Sequence, residues 1–156
     1  MLCCLSFGGS TSVLAACGSV EYREFDFWLG TWQASLPNGK IVGINRIQRE
    51  YEGCVIHERY TGGRNYNGES LNIYDPARKV WHQTWVDNTG TLLVLEGGLH
   101  DGKMILEGNT IDKTGATIDN RITWTPNPNG SVHQLWESTD DKVHWKVAYD
   151  SVFTRM

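Results

Sequence analysis

The sequence predicts an all-β domain, a single antiparallel up-and-down barrel of about ten strands. Three observations carry that expectation. Turn-forming residues recur at short intervals from Glu24 onward, the stretches between them alternate with a period of two, and none keeps a 3.6-residue apolar repeat long enough for a solid helix.

The turns set the element count. They are Pro37-Asn38-Gly39, Glu52-Gly53, Gly62 to Gly68, Asp75-Pro76, Asp87 to Gly90, His100-Asp101-Gly102, Asp112 to Gly115, Pro126 to Gly130, and Thr139-Asp140-Asp141. Each offers residues that tolerate left-handed or fixed backbone angles. Nine breaks give ten segments rich in Val, Ile, Thr, Trp and Tyr. Consecutive hairpins close most simply into a barrel, which leaves no sheet edge exposed. A helical turn or two is expected at Glu24–Leu29.

Alternation then sorts side chains onto two faces. Cys54, Ile56, Glu58 and Tyr60 share one parity; so do Ser70, Asn72 and Tyr74; Trp81, Gln83 and Trp85; Val132, Gln134 and Trp136; and Val143, Trp145, Val147, Tyr149 and Phe153. These faces are expected inward. They mix large aromatics with Glu58, Asn72, Gln83 and Gln134, and Arg121 is placed with them. A dry core disfavours such groups because each buried polar atom needs a partner. A barrel enclosing water and a ligand accommodates them, as does a fully hydrogen-bonded structural network.

Residues 1–20, MLCCLSFGGSTSVLAACGSV, carry no charged side chain and read apart from the barrel domain of 21–156. They look like the apolar region and cleavage site of an export signal, although no Lys or Arg precedes Arg23. Leu14-Ala15-Ala16-Cys17 also resembles a bacterial lipobox. Export to the periplasm or beyond is therefore expected. Cleavage after Ala16 leaves Cys17 and Cys54 of the four cysteines. In an oxidising compartment these two are expected to pair; lipidation of the Cys17 sulfur, with membrane attachment, is the alternative.

The chain has a net charge of -4 and no Lys/Arg cluster, which argues against nucleic acid as a partner. With 7 Trp and 6 Tyr it is rich in side chains suited to sheets and lined cavities. No CxxC or Cys/His spacing suggests zinc. His57-Glu58-Arg59-Tyr60 lacks the second His of a zinc-protease helix, and nucleophile-elbow and phosphate-loop motifs are missing. His82, His133 and His144 fall on outward parities. Neither a metal nor a cofactor is called for.

The most distinctive stretch is Phe25-Asp26-Phe27-Trp28-Leu29-Gly30-Thr31-Trp32. Gly30-Thr31-Trp32 resembles the Gly-x-Trp opening of lipocalins, and the longer run resembles the start of an uncharacterised bacterial calycin-like family, often exported. Gly68 to Asp75, Trp81 to Asp87, Arg121 to Trp124 and Val132 to Glu137 extend the likeness over about residues 22–156. The resemblance implies a calycin-like barrel in which Trp32 closes one end beneath a basic side chain, here Arg155. It implies no settled activity.

The function expected is that of an exported barrel binding a small organic ligand with an apolar body and polar groups. Glu58, Asn72, Tyr74, Gln83, Trp85, Arg121, Gln134 and Trp136 are expected to converge on its cavity. Two alternatives stay open. One is a small enzyme using Glu58 as general acid or base, with Tyr74 as a donor and Arg121 steadying an anionic group. The other is a filled structural barrel in which Glu58 and Arg121 form a plain ion pair.

Overall fold

A computed structural model describes residues 17–156. The leader assigned to residues 1–20 lies outside them up to Ala16. Ten strands run β1 Gly30–Ser35, β2 Ile41–Glu50, β3 Val55–Gly62, β4 Asn67–Asp75, β5 Val80–Asp87, β6 Leu92–His100, β7 Lys103–Ile111, β8 Thr117–Pro126, β9 Val132–Thr139 and β10 Lys146–Arg155. Each pairs antiparallel with its neighbours in sequence, and β1 pairs with β10, so the sheet closes into an up-and-down, lipocalin-like barrel. All nine connections coincide with the turn signals. Helical structure is limited to 3-10 turns, four among the described residues rather than one or two: Val20–Arg23, Asp26–Trp28, Tyr51–Gly53 and Gly63–Asn65.

Up-and-down topology divides the connections between two ends. The segment before β1 folds under one end and plugs it. Phe25, Trp28 and Trp32 are fully buried there with Trp81 and Trp124. Phe25 packs edge-on against Trp81 and Trp124, Trp28 stacks on Trp32 at 5.7 Å, and Trp28 meets Phe153 edge-on at 4.7 Å. The Trp32 indole N–H donates to the Trp28 carbonyl at 2.9 Å. The Arg155 guanidinium lies over the Trp32 ring, 4.3 Å from its centroid, a cation–π contact. Gly30 makes that contact possible. Its φ is +141°, and a Cβ there would sit 2.5 Å from the Arg155 guanidinium.

The plug is fastened to the barrel. Cys17 and Cys54 form a disulfide across a separation of 37 residues. Arg23 donates to the carbonyls of Cys17 and Gly53, Arg49 donates to that of Gly53, and Arg49 pairs with Asp26.

One face assignment is corrected. Val143, Trp145 and Val147 do not point inward with Tyr149 and Phe153. β10 begins only at Lys146, and its register jumps from Val147 opposite Glu137 to Tyr149 opposite Trp136. Ala148 is thus an extra residue, and a bulge of one residue reverses the inside–outside phase. Tyr149, Ser151 and Phe153 face in, while Trp145 lies outside beneath Arg121.

The fold predicts two stability effects. Trp32→Ala should cost about 3–5 kcal/mol, as for a buried large aromatic, read as a lower midpoint in urea. Reducing the Cys17–Cys54 bond should cost about 3–4 kcal/mol by loop-closure entropy, read as a lower melting temperature with reductant.

Candidate functional site

Above the plug the barrel interior changes character. Ile47, Ile56, Leu95, Met104 and Leu106 continue the apolar core. Toward the other end, Asn45, Glu58, Ser70, Asn72 and Gln83 are buried together. Asn45, Glu58 and Gln83 of this group border a cavity of about 280 Å³.

One wall is polar. Asn45 from β2, Glu58 from β3 and Gln83 from β5 reach the cavity. The opposite wall is largely aromatic and apolar, with Trp136 from β9, Tyr149 and Phe153 from β10, and Ile122 from β8, and Gln134 from β9 adds one amide to it. Tyr60, Tyr66 and Trp85 stand toward the mouth. Gly68, on the strand beside Trp85, leaves room for that indole, since a Cβ there would overlap its ring.

Hydrogen bonds lock the polar wall. Asn45 Nδ2 donates to Glu58 Oε1 at 2.6 Å, and Ser70 Oγ donates to Glu58 Oε2 at 2.7 Å. Asn72 Nδ2 donates to Ser70 Oγ at 2.9 Å, and Gln83 Nε2 donates to Asn72 Oδ1 at 2.8 Å, with a longer reach of 3.4 Å to Ser70 Oγ. With two donors aimed at it, the Ser70 hydroxyl turns its single hydrogen to Glu58. Both carboxyl oxygens therefore act as acceptors. Asn45 Oδ1 is buried without a hydrogen-bond partner among the described residues.

Burial pushes the Glu58 carboxyl up from its ordinary pKa, against the opposing pull of the Asn45 and Ser70 hydrogen bonds and of His57. No Lys, Arg or His lines the cavity. Burial likewise raises the Tyr60 and Tyr149 hydroxyls. At the mouth, Asp87 behaves the other way. Partial burial would raise its carboxyl, but hydrogen bonds from Thr89, Tyr66 and Trp85 hold it well below the usual range.

The eight expected site residues divide four ways. Glu58, Gln83, Trp85, Gln134 and Trp136 line the cavity. Asn72 faces inward but stands behind it, bracing Ser70, Gln83 and the Ile56 carbonyl. Tyr74 faces inward at the plugged end, packed on Tyr22 and Trp81. Arg121 is a correction: Asn120, Ile122 and Trp124 take the inward parity of β8, so Arg121 points out. There it pairs with Glu137 at 3.0 Å and lies over Trp145 at 4.2 Å. The Glu58–Arg121 ion pair is not formed. Asn45 was not anticipated. Its signal was the β2 parity Gly43, Asn45, Ile47, opposite Arg46 and Gln48.

Four of the five histidines are engaged on the outside. His57 bridges Glu50 and Glu69, His82 meets Glu96, His133 meets Asp150 and His144 meets Asp141. Among the described residues no three His, Cys, Asp or Glu side chains gather as a metal site. No protein-family model matches the chain, and no curated protein matches it.

The raised Glu58 pKa predicts a pH effect. The folded protein keeps that proton longer than the unfolded chain, so the contribution is fully present below the ordinary carboxyl value and is lost as pH rises through the raised one. The slope cannot exceed about 1.4 kcal/mol per pH unit for one proton. The groups facing Glu58 are Tyr60, Tyr66 and Tyr149 inside, all raised by burial first, and His57 on the outer face. All four persist in Glu58→Gln. Urea titrations from pH 5 to pH 8.5 should show wild-type stability falling relative to Glu58→Gln; parallel curves would contradict the raised pKa.

Proposed function

We propose that the protein binds a small organic molecule, with an apolar body and a few hydrogen-bonding groups, inside the unplugged half of the barrel. The observation that carries this reading is the cavity of about 280 Å³ set between a hydrogen-bonded polar wall and an aromatic one. Ligand sites combine apolar lining with a few fixed polar groups in this way. Glu58, Gln83, Gln134, Trp85 and Trp136 are the proposed contacts. Asn45, Tyr60 and Tyr149 join them, and Asn72 acts in support. The cavity also weighs against a barrel filled solely for structure.

Export belongs to the same proposal. A disulfide between Cys17 and Cys54 suits an oxidising compartment. A second reading, acid–base catalysis by Glu58, draws on the burial that raises its pKa. It requires that a bound compound be chemically altered by the wild type and left intact by Glu58→Gln.

Native mass spectrometry of protein purified from its own host should show a co-purifying small molecule released on denaturation. That compound should change tryptophan fluorescence, with a smaller amplitude in Trp136→Phe. Arg121→Ala, on the outer surface, should bind within about twofold of wild type. A host-purified protein carrying nothing, with a fluorescence spectrum unmoved by host extract, would count against the binding function.

A further inference from the structure

Glu58 is the feature that the general reading leaves unexplained. It is a carboxyl group 4% exposed inside a barrel, and both of its oxygens accept hydrogen bonds from neutral donors. Those two donations favour the anionic form while burial disfavours it, so the anion is secured only when a positive charge is brought beside it. A buried anion calls for a cation. The cationic side chains nearest in the sheet face outward and are engaged: Arg59 pairs with Glu50, and His57 lies between Glu50 and Glu69.

We infer that the cavity takes a small organic cation, an ammonium group on an apolar body, with Glu58 as its counter-charge. The inference rests on the cavity being a ligand site. The lining is the chemical complement of such a cation. Its ammonium hydrogens need an acceptor, and Glu58 supplies a charged one in the lining. The indole N–H groups of Trp85 and Trp136 are engaged with Asp87 and Asn120, at 3.2 and 2.9 Å, so those rings offer π surface rather than donors. Tyr60, Tyr149 and Phe153 add to that surface. The carboxylate of Asp87 at the mouth favours entry of a cation.

The same facts disfavour an anionic ligand. It would meet Glu58 without any Lys, Arg or His in the lining to offset the repulsion. Size narrows the class further. A dry cavity of ~150 Å³ holds benzene, so about 280 Å³ accepts one ring with a short ammonium-bearing arm.

Three probes of one shape test the charge. Isothermal titration calorimetry of the disulfide-bonded protein at pH 7.5 compares 2-phenylethylammonium, 2-phenylethanol and 3-phenylpropionate. The ammonium should bind at least about tenfold tighter than the alcohol, and the carboxylate weakest. In Glu58→Gln the ammonium should lose about tenfold while the alcohol stays within about threefold. Equal binding of ammonium and alcohol would overturn the cation assignment and leave the ligand site standing. A preference for the carboxylate, or no binding by any probe, would overturn it as well; the ligand site itself is then judged by what the host-purified protein carries. The ranking on unaltered protein decides the matter if Glu58→Gln does not fold.

Discussion

An antiparallel sheet of ten strands hides its edges only when the first strand pairs with the last, and here that seam runs between β1 and β10. Closure brings together side chains more than a hundred residues apart, so its loop-entropy cost is large and something local must hold it. The holder is Trp32, opposite Arg155 in the register, with the indole beneath the guanidinium and its N–H on the Trp28 carbonyl. Gly30 is permissive in both backbone angle and space. The Gly-x-Trp pattern is thus a steric requirement: the glycine clears the volume the arginine fills.

The plug has a second effect. By burying Phe25, Trp28 and Trp32 at one end, it concentrates apolar packing there. The other end is free to depart from close packing. Polar side chains are tolerated in that half because they satisfy one another through the Asn45–Glu58–Ser70–Asn72–Gln83 chain of hydrogen bonds. Removing one member strands the next, and each stranded group costs about 1–3 kcal/mol. Such a wall is rigid, which suits a surface that must hold a carboxylate at a fixed place.

Much of this was legible in the residues. Turn chemistry located all nine connections, and period-two alternation oriented β3, β4, β5 and β9, because those rules act within a few residues. The failures have physical causes. Arg121 was judged by its neighbours' chemistry rather than its parity, which Ile122 and Trp124 already claimed. The bulge at Ala148 left no mark in the sequence, since one extra residue in a strand changes phase without changing composition. Tyr74 had the right face but the wrong depth, and depth along a barrel depends on how neighbouring strands stagger. Asn45 has the inward parity of β2, but the carboxyl it meets on β3 is a cross-strand partner that this local pattern does not identify.

The disulfide and the last strand share an address. Cys17 is bonded to Cys54 beside the β2–β3 turn, and Met156 donates its backbone N–H to Thr31 at the start of β1. Both described ends of the chain therefore leave from beneath the plug, on the side opposite the Tyr60–Tyr66–Trp85 rim. Anything joined to either end, whether a surface, a bead or a fused partner, would hold the barrel upright like a cup on its base, with its opening turned toward the surrounding solution.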